Sequence, residues 1–218
     1  MVIRSFGNSN GTFWTDQGLI TEVRAYWEAL RKDGDLPKRH QIDPRGFTGA
    51  LENVFLIERI GTGIARFRIA GFAFHDLMGM DIRGMPFSCL FIGEAHISLR
   101  MNLERAFTGP SVVHLSLTSA RTYSQPELSA KMTMLPVIDG TGATRLVLGC
   151  LEIAGQIRKA PRRFQIESTS VERINLPEVA AIRPIADLPK PLFLKPLPPT
   201  GQGPIKSKPI LRLVHSAD

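Results

Sequence analysis

The chain has 218 residues, 43% of them hydrophobic and 22% charged, with 27 Lys/Arg against 20 Asp/Glu and a formal net charge of +7. That length predicts one sizeable core plus an appendage. Residues 1–156 carry 16 Lys/Arg against 15 Asp/Glu, whereas 157–218 carry 11 against 5, so the high pI belongs to the carboxy-terminal part and does not describe a DNA-binding domain. The opening residues lack the apolar run of a signal peptide, and no segment reaches the roughly 18 apolar residues of a bilayer span. Two cysteines, Cys89 and Cys150, each sit in an apolar segment and read as buried free thiols, consistent with a reducing cytoplasm.

After a flexible stretch over 1–14, Asp16 is placed to cap a helix over 16–32. Leu19, Ile20, Val23, Tyr26, Trp27 and Leu30 form one apolar stripe on it, and Gly34 ends it. The stripe must be covered either by the domain's own outer face or by the same helix of a second copy. Leu36 to Pro44 reads as an extended connector held by its two prolines. Strands over 54–60 and 64–69 flank Gly61-Thr62-Gly63, a glycine pair suited to a tight hairpin. In the second strand Arg66 and Arg68 alternate with Ala65, Phe67 and Ile69. Broken helical turns follow over 71–91, interrupted by Gly79 and Gly84, and then a helix over 94–107 that Gly109-Pro110 stops.

Strands over 112–119, 128–137 and 144–157 complete the pattern, the last two joined by the Asp139-Gly140 turn. Strands clustered in hairpins predict an α+β fold, an antiparallel sheet with its helices gathered on one face. From 158 to 218 the composition turns basic and proline-rich, predicting an extended or disordered tail with polyproline character near Pro189 to Pro199.

The Trp27 helix, LPKRHQIDP at 36–44, RFRIAG at 66–71 and LMGMDIRG at 77–84 occur in an order that resembles a PAS domain. They most resemble a group of short PAS proteins found in alphaproteobacteria. The matching joints are Arg68, Gly71 and the G-x-D-x-x-G element Gly79-Met80-Asp81-Ile82-Arg83-Gly84, within a domain over 15–157. The resemblance implies a five-stranded antiparallel sheet whose helix-covered inner face can hold a small ligand. It also implies sensory or adaptor signalling through another protein, without catalysis, and a homodimer through the Trp27 helix. Phe67, Phe72, His75, Met78, Phe91, His96 and Met101 are the candidate pocket lining.

No cofactor is specified by the residues. His96 stands where some haem-binding PAS sensors place the iron ligand, but a single imidazole is no signature. Cys89, in Phe-Ser-Cys-Leu-Phe, departs from the Asn-Cys-Arg-Phe context of flavin photosensors. No metal spacing, nucleophile elbow, P-loop or dinucleotide fingerprint occurs. Nucleic acid and membrane are not expected partners. A ligand-free interaction scaffold is the alternative reading, and an enzyme using the same cavity a third.

Overall fold

A computed structural model describes residues 18–121 and 125–175. The expectations for Asp16, for 1–14 and for the tail from 176 onward therefore lie outside the described residues. Helix α1 spans Leu19–Leu30, α2 Phe72–Met78 and α3 His96–Phe107, with short 3-10 turns at Arg39–Gln41, Pro44–Asn53, Phe87–Leu90 and Gly93–Ala95. The strands are β1 Val54–Gly61, β2 Ile64–Ala70, β3 Ser111–Ser119, β4 Leu128–Ile138, β5 Thr144–Ala154 and β6 Gln165–Arg173. They form one sheet in the order β2-β1-β5-β4-β3-β6, antiparallel throughout.

The sheet has six strands where five were expected. The additional one, β6, falls beyond residue 158, where composition suggested a tail, and it pairs with β3 along nearly its whole length. Its sequence, QIESTSVER, has too few apolar residues to show an alternating buried face, because β6 is an edge strand exposed over most of its length. The connector at 36–44 also differs. Lys38 bridges to Ile138 at the end of β4, and a 3-10 turn follows at once.

Helices do not gather on one side alone. One cluster of buried side chains lies between the sheet and α2, α3 and their neighbouring turns. A second lies on the opposite face beneath α1 and the 44–53 turn. Trp27 is fully buried in that second cluster, and its Nε1 donates to the Pro136 carbonyl at 3.0 Å. Tyr26, beside it, accepts from the Asp43 amide at 2.7 Å and meets Phe47 edge-on. Of the two covers open to the apolar stripe, the domain's own outer face is the one observed. Glu152 on β5 accepts from the Ile20 amide at 2.8 Å, so a carboxylate from the sheet satisfies the first turn of α1.

A bulge corrects one facing in β2. Ile57 pairs with Phe67 while Leu56 pairs with Ile69, leaving Arg68 as the extra residue. Ile69 is thereby turned away from Phe67 to the outer face, where it is 46% exposed. No helix among the described residues is long and apolar enough to cross a bilayer.

Burial of Trp27 inside its own chain sets an expected outcome. Trp27→Ala should lower unfolding free energy by about 3–5 kcal/mol in a denaturant titration. A loss under about 1 kcal/mol would contradict the packing described, since surface substitutions rarely exceed that.

Candidate functional site

Strand alternation sends Phe55 and Ile57 of β1, and Ala65 and Phe67 of β2, to the inner face of the sheet. From above, α2 contributes Phe74 and the turn at Phe87–Leu90 contributes Phe87, followed by Phe91. These five phenylalanines are at most 2% exposed and touch in a continuous group. Phe55 lies 5.5 Å from Phe74 and 5.3 Å from Phe87, Phe67 lies 5.3 Å from Phe87, and Phe87 lies 5.6 Å from Phe91. Most meet tilted or edge to face, the geometries their ring quadrupoles favour. Gly149, opposite Phe55 on β5, leaves the room the ring occupies, because a Cβ there would overlap it.

The segment leading into β6 closes the open end. Phe164 is fully buried in the inner cluster, with its amide donating to Leu90 O at 2.8 Å and its carbonyl accepting from Ile92 N at 3.0 Å. Arg162 is 1% exposed and donates to Ser119 Oγ at 3.2 Å and to the Pro126 carbonyl at 2.7 Å. Its amide donates to Leu77 O at the end of α2. Aromatic packing and this strap together fill the space between the sheet's inner face and α2.

The seven residues predicted to line a pocket do not share one space. Phe67, Met78 and Phe91 belong to the packed cluster. Phe72 is 61% exposed and stacks on His75 at 5.3 Å, both lining a surface cleft of about 240 Å³ with Asp81 and Arg83. His96 lines a separate cavity of about 220 Å³ with Ser88 and Leu99, and its buried Nε2 has no hydrogen-bond partner. Met101 faces a third space, a groove beside β6. Phe55 and Phe87, which complete the aromatic group together with Phe74, were missed. On α2, Phe74 lies two positions from Phe72 and so points elsewhere, inward where Phe72 points out.

The His96 cavity is smaller than the roughly 300 Å³ at which small-molecule sites begin. Cys89 is half-buried, and burial pushes its thiol up rather than activating it. Burial likewise pushes Cys150 up to about 12. Among the described residues, no three His, Cys, Asp or Glu side chains stand together to hold a metal.

The G-x-D-x-x-G element is a structural joint. Gly79 (φ 72°) ends α2 in the left-handed conformation, and Gly84 (φ 82°) returns the chain to β2, its amide donating to Phe67 O at 2.8 Å. Between them Asp81 accepts from the Arg83 amide at 2.9 Å and pairs with its guanidinium at 2.6 Å. On the strand, Arg66 and Arg68 both grip Glu58, at 2.9 and 2.7 Å, so Arg66, Arg68 and Arg83 all already hold carboxylates. Hydrogen bonds from Arg68, then from Arg66, draw the Glu58 carboxyl below its ordinary value.

The Arg83 side chain and then its amide hold Asp81 at about 2, down from 3.8. A depressed carboxyl stabilises the fold above its unfolded value, and that contribution disappears as pH falls from about 4 through 2. NMR titration of the Asp81 carboxyl should give a midpoint near 2, rising toward 3.8 in Arg83→Ala. An unperturbed wild-type midpoint would exclude the turn as described.

No curated protein matches the chain. Among solved structures, the light-state blue-light photoreceptor Aureochrome1 LOV is 14% identical, covering 51% of this chain and 88% of that one at a TM-score of 0.37. An RNA-binding light-oxygen-voltage receptor is 16% identical, covering 56% of this chain and 37% of that one, also at 0.37. The PAS domain family model matches residues 17–152, from the start of α1 to near the end of β5, and the chain belongs to that family.

Proposed function

We propose that this chain is a non-enzymatic PAS-type signalling adaptor that acts by contacting another protein, its inner space occupied by its own aromatic side chains. The observation that carries this reading is the closed group Phe55, Phe67, Phe74, Phe87 and Phe91, sealed by Phe164. Five cavities found among the described residues are not lined by any of these rings. A ligand shifts a conformational equilibrium only through different affinities for two states. Without a ligand the output follows the protein's amount and its affinity for a partner.

Family membership supports signalling. Asp76 and Asp81, the two carboxylates an acid-base reading would use, are both exposed, and Asp81 is already paired with Arg83. Free Cys89 and Cys150 suit a reducing, cytoplasmic setting. Self-association, common among PAS domains, would use a surface other than the Trp27 stripe, which its own sheet already covers. Sensing of a small ligand has one observation in its favour, the unpartnered Nε2 of His96 beside its cavity.

Native mass spectrometry and absorption spectroscopy of freshly purified protein test the adaptor reading. The expected result is the mass of the bare chain and no band beyond the aromatic ultraviolet. A retained mass or a visible band would overturn it. Phe87→Ala should also cost about 3–5 kcal/mol of stability in a denaturant titration. A nearly neutral substitution would mean the ring borders open space.

A further inference from the structure

β6 extends the sheet beyond the cover that α3 provides. A groove of about 1160 Å³ lies between them, open to solvent and continuing past the β1–β2 turn at Thr62 and Gly63. Three guanidinium groups line it: Arg100 and Arg105 from α3, and Arg173 from the end of β6. None has a carboxylate partner among the described residues. The groove's own carboxylate, Glu104, is engaged. Burial alone would raise it, but the Gly63 amide, the Thr108 hydroxyl and Arg59 together hold it low, with Arg59 at 2.8 Å.

The cations are accompanied by apolar surface. Met101 is 53% exposed and Val171 38%, both in the groove, and Ile97, one turn before Met101 on the same helix, is 75% exposed. Beneath them Asn102, 1% exposed, donates to Thr169 Oγ1 on β6 at 3.1 Å and accepts from Arg105 Nη1 at 3.1 Å. A buried amide therefore ties helix to strand and fixes one guanidinium at the groove, where ordering a free arginine would otherwise cost entropy.

We propose that this groove binds an acidic segment of a partner protein, with apolar side chains between its carboxylates. This rests on the adaptor reading and names the surface and partner chemistry it needs. Charge selects the occupant. Residues 176–218 of the same chain carry six Lys/Arg against three Asp/Glu, a charge of the same sign as the groove and not its complement. A second copy docked about a two-fold axis would oppose the same cations. Among the described residues, no aromatic ring lines the groove on which nucleic acid bases could stack. Carboxylates paired with arginines, and aliphatic groups on Met101 and Val171, satisfy both halves of the surface.

Fluorescence anisotropy on the full chain tests this, with a short labelled peptide of alternating Glu and Leu as probe. An alternating Lys-Leu peptide, single-stranded oligouridine and anionic phosphatidylglycerol vesicles are run alongside. The Glu-Leu peptide should bind, weaken with added salt, and lose about tenfold in affinity in Arg100→Ala/Arg173→Ala. Arg45→Ala, an exposed site outside the groove lining, should change nothing. Circular dichroism confirms that the variants fold.

No binding of the Glu-Leu peptide, binding insensitive to the double substitution, or tighter, Arg100/Arg173-dependent binding of oligouridine or vesicles would each overturn the proposal. Such a failure beside a bare native mass would remove the groove proposal alone. A retained ligand would remove the adaptor reading whatever the peptide does.

Discussion

Contact among phenylalanine rings on the inner face of the sheet is the constraint on which the rest of this molecule depends. Phe55 is seated on Gly149, Phe74 and Phe87 descend from the helices, and Phe67 joins them from β2. Each fully buried aromatic of this size contributes several kcal/mol through removal of apolar surface from water. The same contacts position the helices. Gly71 sits where the chain leaves β2 against the backbone of Leu51 and Glu52, a place with no room for a side chain, so α2 begins close enough for Phe74 to reach Phe55.

What was legible in the sequence follows from how local each signal is. The β1–β2 hairpin, the helix breaks at Gly79 and Gly84, and the strands β3 to β5 depend on turn glycines and alternation within a few residues. Ile69 was placed on the wrong face because a bulge at Arg68 is set by pairing with β1, and no residue type announces it. β6 was invisible because an edge strand with one partner needs little hydrophobicity. The candidate pocket was scattered for a related reason. Composition identifies aromatic and sulfur side chains, whereas which of them share a space depends on how α2, α3 and the strap through Arg162 and Phe164 lie over the sheet.

The addition of β6 has two consequences on the two sides of α3. Its leading segment buries Phe164 and Arg162 and so closes the inner space. Its far end carries Val171 and Arg173 past the helix and opens the cationic groove. One structural element thereby packs against the inner cluster and lines an external groove. That arrangement is what the proposed adaptor role draws on.

The most direct test of the central claim is an experimental electron-density map of the protein purified without added ligand, read between Phe55, Phe67 and Phe87. The account predicts rings in mutual contact, with centroids 5.3 to 6.0 Å apart and no density unassigned to the chain. Rings drawn apart around non-protein density would contradict it.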